Sequence, residues 1–353
     1  MKKLRSVQYL RAFSALMVLT THSLTYQLGD DAPYLHLTSH MRMMLFFVIS
    51  GFIMVYISGT EPFSALTFLK RRAIRIVPLY WVFTIFTALL AALLPSLFQR
   101  TVFTWPHFLE SLLFIVHEAP VTKSLSPILS LGWTLNYEIY FYIVFAMVAF
   151  MRAGPRLIAL SILFISAWLV GLLAPPTNPV LPFYLNAFPL AFAAGTWVGW
   201  LFLNGEVTSN KRQLCTLGIA IVASFTIGIT FPGALGFAGQ FGWAIGLLLL
   251  VLLLESKLGQ WSLLEKLGDA SYSLYLSHIF VVAAVVQLAR HTVGDQGATM
   301  VTLTSATCIV VACAAALVIH RTIEKPMLHI MNDKRKPDRT TFPRTATGVG
   351  ERS

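Results

Sequence analysis

Two ionisable residues stand on one apolar stretch near the start of the chain. Gln8 to Thr25 reads QYLRAFSALMVLTTHSLT, with Arg11 near its beginning and His22 near its end. At roughly 100° per residue, the step between them is about three helical turns plus ~20°, so both share one face about 16 Å apart. Ser14 and Thr25 fall near the same stripe. A membrane-length helix with one ionisable stripe turns it towards a bundle interior or a wet cavity, and an imidazole there suits general-base chemistry. Arg11 lies only about 6 Å inside the helix start, so snorkelling to headgroups is an equal reading of it. His22 is too short to snorkel. It reads as functional, the alternative being a hydrogen-bonded structural histidine.

Further on, FLKRRAIRIVPLYW crowds Lys70, Arg71, Arg72 and Arg75 at the mouth of an apolar run. Arg71 and Arg75 are four apart and Arg72 and Arg75 three apart, so each pair shares a face. Pro78 breaks into the helix beside them. The cluster reads either as a topology signal or, because guanidinium forks bind phosphate, as the seat of a phosphate-rich ligand. LFFVISGFIM carries Ser50 and Gly51, which permit close backbone approach or simple helix packing. In SLGWTLNYEIYFY, Trp133, Tyr137, Tyr140 and Tyr142 suit a membrane interface. Glu138 matches His22 in depth, so the two can meet, a carboxylate orienting an imidazole. A protonated Glu138 hydrogen-bonded in the bundle is the alternative. LGDASYSLYLSH offers Asp269 or Ser271 as a helix cap and His278 as a packed histidine or a ligand contact. In HRTIEKPM, Arg321 and Glu324 are three apart, as in a local ion pair, and Pro326 closes the helix.

The elements that must carry these groups are membrane helices. The 353 residues are 56% apolar and only 12% charged, with mean hydropathy +0.72. A soluble domain carries about twice that share of charge. About ten spans are expected, near 7–27, 41–59, 74–97, 132–151, 156–174, 183–203, 213–231, 236–255, 270–290 and 298–320, each about 20 residues long. Pro106 to His117 is too short to span and reads as interfacial or re-entrant. The fold class is thus an all-α polytopic membrane bundle: residues 1–330 form the embedded domain and 331–353 a basic, disordered tail.

The net charge of +11 does not point to nucleic acid, because Lys and Arg lie in short loops and the tail. With both termini cytoplasmic, most of the 26 lie inside, against Arg42, Arg100, Lys123 and Arg290 outside. Cys215, Cys308 and Cys313 fall in apolar runs and make neither a disulfide framework nor metal spacing. No Gly-rich phosphate loop, metal-binding His-Glu helix or Gly-x-Ser-x-Gly elbow is present. No internal repeat of the transporter kind is visible.

Taken together, QYLRAFSALMVLTTH, FFVISGF, RRAIRIVPLYW, LGWTLNYEIYFY, LGDASYSLYLSH and IEKP resemble, in order, the acyltransferase-3 family of integral membrane O-acyltransferases. The opening LRSVQYLRA is most similar to its exopolysaccharide-production acetyltransferases of the ExoZ type. The resemblance implies transfer of an acyl group, commonly acetyl, from cytoplasmic acyl-CoA to a hydroxyl of an envelope glycan or lipid-linked saccharide at the inner membrane. It implies His22 as the central catalytic residue with Arg11 its motif partner; Glu138 joins them as a catalytic candidate on the depth argument above. Arg72 and Arg75, with Arg71 alongside, would hold the donor. Tyr137, His278 and Ser50 would touch substrate. No metal is implied. The rival reading is a non-enzymatic flippase or transport component for lipid-linked sugar, using the same cavity and basic mouth.

Overall fold

The computed structural model describes residues 3–29, 33–97, 101–208, 210–293 and 297–333, and its regular elements are helices. In order they are α1 (Arg5–Leu28), α2 (Pro33–Ser58), α3 (Ala65–Leu93), α4 (Trp105–Leu112), α5 (Trp133–Met147), α6 (Ala153–Leu173), α7 (Leu181–Tyr184), α8 (Phe188–Leu203), α9 (Lys211–Thr230), α10 (Gly233–Leu253), α11 (Ser262–Asp269), α12 (Ser271–Val293), α13 (Ala298–Ile319) and α14 (Lys325–Asp333). Arg100 and the expected disordered tail beyond residue 333 lie outside the described residues.

Among the described residues eight helical spans are long and apolar enough to cross a membrane, α7 with α8 counting as one and α13 with α14 as another, against the ten expected. The two that differ are α1 and α5, and both carry candidate site residues. α1 is long enough at 24 residues, but its Arg, His, Gln, Ser and Thr dilute its apolarity. α5 has only 15 residues, about 22 Å of helix, short of the roughly 30 Å hydrocarbon core. The third span begins at Ala65 rather than near residue 74, so the basic cluster lies within the helix and not in a loop. Ser64 caps it, accepting from the Thr67 N–H at 3.3 Å. Pro78 sits inside this continuous helix. Pro326 does not close the last helix either: a π-helical stretch, His320–Glu324, leads directly into α14.

α1 is the hub, packed against α2, α10, α11, α12 and α13. Its N-terminus is capped from a distance. The Glu255 carboxylate accepts from the backbone N–H groups of Arg5 (3.1 Å) and Ser6 (2.7 Å), which lack intrahelical partners. α2 and α8 approach through glycine. A Cβ at Gly51 would stand 2.0 Å from the Phe192 carbonyl oxygen, and one at Gly195 2.0 Å from that of Val48. The FVISGF stretch therefore has a packing role at Gly51, as small residues have between membrane helices. α4 does not span. It docks beside α3, with Tyr80 Oη donating to the Ser111 carbonyl (3.0 Å) and Trp81 Nε1 to that of Leu112 (2.9 Å).

Candidate active site

α1, α2, α3, α5 and α12 enclose a cavity of about 170 Å³. Its polar lining includes Arg11, Ser50, Arg72, Arg75, Glu138 and Tyr142, and its apolar lining includes Val18, Met43, Phe46 and Ile49. Arg11 is turned inwards and does not snorkel. Its Nη2 donates to Ser271 Oγ at 2.9 Å and its Nη1 to Gln8 Oε1 at 3.3 Å. Asp269 is engaged elsewhere, with Lys3 at 2.7 Å.

Arg72 and Arg75 both face the cavity. Arg71 is exposed and is not among its lining residues, although it shares a helix face with Arg75. Arg75 is held by Glu324 at 2.5 Å and lies over the Tyr272 ring at 5.9 Å. Glu324 is only 2% exposed and also accepts from Ser273 Oγ (2.6 Å) and His320 Nδ1 (2.8 Å). The expected local pair with Arg321 is thus replaced by a tertiary one. The wider π turn carries Glu324 inwards, the kind of bulge that recurs at functional sites. Arg72 Nε is buried without a hydrogen-bond partner among the described residues.

Glu138 does not meet His22 as its depth suggested. It sits beside the hydroxyls of Ser50 and Tyr142, and the charges that act on it are Arg72 and Arg11. Equal depth places two groups on one level of a bundle, but the faces of α1 and α5 decide whether they touch.

His22 opens on a second, separate pocket of about 350 Å³, lined by Ser124, Leu125, Ser126, Ser130, Leu131 and Trp133. The loop between α4 and α5 builds this wall. It is pinned by Ser111, whose Oγ accepts from the Ile128 N–H at 2.8 Å. Thr122, Ser124 and Ser126 form a run of hydroxyl contacts at 2.7 and 2.8 Å. Phe114 and Lys123 hold left-handed backbone (φ 57° and 55°), a conformation costly for such residues and often retained near functional sites. These serines escaped the sequence reading. Their only signal was a polar SLSPILS stretch between apolar runs.

Behind His22 lies His278, with ring centroids 5.2 Å apart and edge-to-face. His278 is 1% exposed, and its Nδ1 lies 3.1 Å from the Leu274 carbonyl. That contact requires the proton on Nδ1, leaving Nε2 as an acceptor. Nε2 is buried and unpartnered among the described residues. Tyr137, expected to touch substrate, belongs instead to the aromatic core. It is 2% exposed, donates to the Phe183 carbonyl at 2.7 Å, accepts from Asn186, and lines neither cavity.

The model of the acyltransferase domain matches residues 4–320, which include every helix of both cavities. The chain belongs to the acyltransferase-3 family. It is therefore an integral membrane acyltransferase. It is 37% identical over 251 residues to the exopolysaccharide production protein ExoZ of Rhizobium meliloti (strain 1021), covering 69% of this chain and 76% of that one. It is 26% identical over 235 residues to an O-acetyl transferase of Shigella phage Sf6, covering 63% and 70%. It is 29% identical over 153 residues to the acyltransferase MdmB of Streptomyces mycarofaciens, covering 40% and 38%. No solved structure matches it. In this acyltransferase the basic cavity and the histidine pocket lie in series along α1. Arg11 touches Ser271 and His22 touches His278, so α1 and α12 run side by side in the same direction.

Proposed function

We propose that this acyltransferase moves an acetyl group from cytoplasmic acetyl-CoA to a hydroxyl of an exopolysaccharide or related envelope glycan. Acyl-CoA is a substrate in this reading, and Arg72 and Arg75 hold its phosphates. The observation that carries it is the serial arrangement: an arginine-walled cavity leads along α1 to a histidine in a serine-lined pocket. Arg72 has a buried Nε without a protein partner, as a ligand-holding guanidinium would. The pantetheine arm follows the apolar wall of Val18, Met43 and Ile49 from the arginines towards His22. Glu138 offsets the charge of Arg72 and Arg11 in the donor cavity, lowering the cost of holding cations in a dry bundle.

His22 acts as the base. The sugar hydroxyl oxygen attacks the thioester carbonyl carbon while its proton passes to the imidazole. The C–O bond forms, the C–S bond breaks, and the proton leaves with the CoA thiolate. His278, fixed by Leu274, orients His22 through edge contact. The serine hydroxyls and Trp133 suit a sugar, which presents hydroxyl edges and an apolar face. The preference for a glycan over other hydroxyl acceptors follows the relatedness to ExoZ.

The test uses membrane vesicles of both orientations with labelled acetyl-CoA and envelope polysaccharide. Label should enter polysaccharide only when acetyl-CoA reaches the face bearing Arg72. Mass spectrometry should find one acetyl unit more per modified residue. Transport of lipid-linked sugar without any acetyl incorporation would reject the proposal.

A further inference from the structure

The donor cavity and the His22 pocket are separate, yet transfer requires the acyl carbon to reach the histidine. α1 passes from one space to the other within about a turn. Val18 lines the cavity and His22 the pocket, about 6 Å apart along the axis. α12 makes the same passage between Tyr275, on the cavity wall, and His278, against His22.

A hydrogen-bonded wall stands at that level. Tyr275 Oη donates to the Leu131 carbonyl at 2.8 Å. Thr134 Oγ1 is 2.6 Å from the same hydroxyl and 3.2 Å from the same carbonyl. Tyr275 and Thr134 face the donor cavity, whereas Leu131 faces the pocket. Phe46 stacks on the Tyr275 ring, centroids 6.1 Å apart and 15° from parallel. All three latch residues are buried.

We infer that Tyr275 is a gate between the donor cavity and the acceptor pocket, and that its aperture selects short acyl groups. The inference rests on the acyl-transfer reading for its chemistry, though not for its geometry. When Tyr275 turns away, Leu131 keeps Thr134 as a donor, so opening disturbs little more than one side chain. The thioester waits in the cavity, screened from water on the histidine side, until the latch opens. A passage one aromatic side chain wide admits an acetyl group more readily than a longer chain.

The test removes the hydroxyl and keeps the ring. In Tyr275→Phe, acyl-CoA hydrolysis without acceptor should rise about fivefold to tenfold, the shift expected from losing one buried hydrogen bond. In that side reaction water oxygen bonds the acyl carbon and the C–S bond breaks, releasing carboxylate, a proton and CoA thiol. Thr134→Val should act in the same direction, and Tyr275→Ala should extend acceptance to butyryl-CoA. A second readout needs no activity. Ser14→Cys is introduced after Cys215, Cys308 and Cys313 are replaced by alanine, and a charged thiol reagent is applied to vesicles of each orientation. With Tyr275 in place, labelling should come from one face. With Tyr275→Ala it should come from both, and with Tyr275→Phe labelling from the second face should rise. Labelling from both faces with Tyr275 present, or an unchanged pattern in its variants, overturns the gate. One-faced labelling with Tyr275 in place and two-faced labelling in Tyr275→Ala, without any acyl-CoA turnover by the Tyr275-containing protein, would instead leave the gate standing and reject the acyl-CoA reading.

Discussion

Glu324 is the most consequential group outside the sequence-derived site, and Glu324→Gln isolates its charge. Its carboxylate gathers Arg75, Ser273 and His320 while only 2% exposed. The amide keeps the size and one acceptor oxygen, but loses the charge and places an NH₂ against one of three donors. A hydrogen bond to a charged group contributes about 1.5–3 kcal/mol. Breaking a fully buried ion pair costs about 3–5 kcal/mol. Arg75 is 28% exposed and can rehydrate in part, so the lower range, about 2–3 kcal/mol, applies here. The consequence is split between stability and Arg75 placement. If about half falls on donor binding, KM for acyl-CoA should rise about tenfold. The turnover number should change less, because Glu324 does not line the cavity. The assay is steady-state transfer by detergent-purified protein at varied acyl-CoA, with thermal melting of the same samples. A double variant, Glu324→Gln with Arg75→Gln, should lose less than the sum of the singles, as contacting residues do. An unchanged KM and melting point in Glu324→Gln, or strict additivity in the double variant, would refute the argument.

Three further outcomes are expected. His22→Gln keeps hydrogen bonding but takes no proton, so transfer should fall about 10²–10⁴-fold. Near wild-type turnover, normalised to folded protein, would move the base to the neighbouring His278. Arg72→Ala should raise the acyl-CoA requirement, Arg72→Lys should restore it only partly for want of the fork, and Arg71→Ala should change it little. Equal effects at Arg71 and Arg72 in the same kinetic assay would return the cluster to a topology role. Glu255, outside the spans, caps α1. Burial alone would raise its pKa, but the Ser6 hydroxyl, the Ser6 and Arg5 N–H groups and the Arg5 charge together hold it below 4.5. Its stabilisation is therefore present above about pH 4.5 and lost as pH falls through the depressed value. Glu255→Gln should cost about 1 kcal/mol near neutrality and flatten the acid side of a melting-temperature profile. A profile identical to wild type would exclude the cap.

The sequence by itself determined the class of chemistry and the ladder of membrane helices. Apolar run length and sparse charge are local properties, and eight helices follow from them within a few residues, apart from the start of one and the end of another. That Arg72 and Arg75 face an internal cavity and His22 a pocket agrees with the reading of charged positions in apolar runs. An ionisable group in a membrane-length run has few inert places to go. The helical period could also tell that Arg72 and Arg75 share a face, though not which of the arginines looks inwards. What only the tertiary structure decided is which faces meet. Glu138 and His22 match in depth, yet α5 turns its carboxylate to Arg72 and Arg11. Tyr137 looks like an interfacial tyrosine by spacing, yet the packing of Phe183 and Asn186 claims its hydroxyl. Glu324 sits three residues from Arg321, yet a π turn delivers it to Arg75, some 250 positions away in the chain. Separate cavities joined at Tyr275 likewise exist only once α1, α5 and α12 are side by side. Helix period and hydropathy fix the direction of a side chain relative to its own axis, whereas rotation of each helix in the bundle is set by the summed packing of all its neighbours.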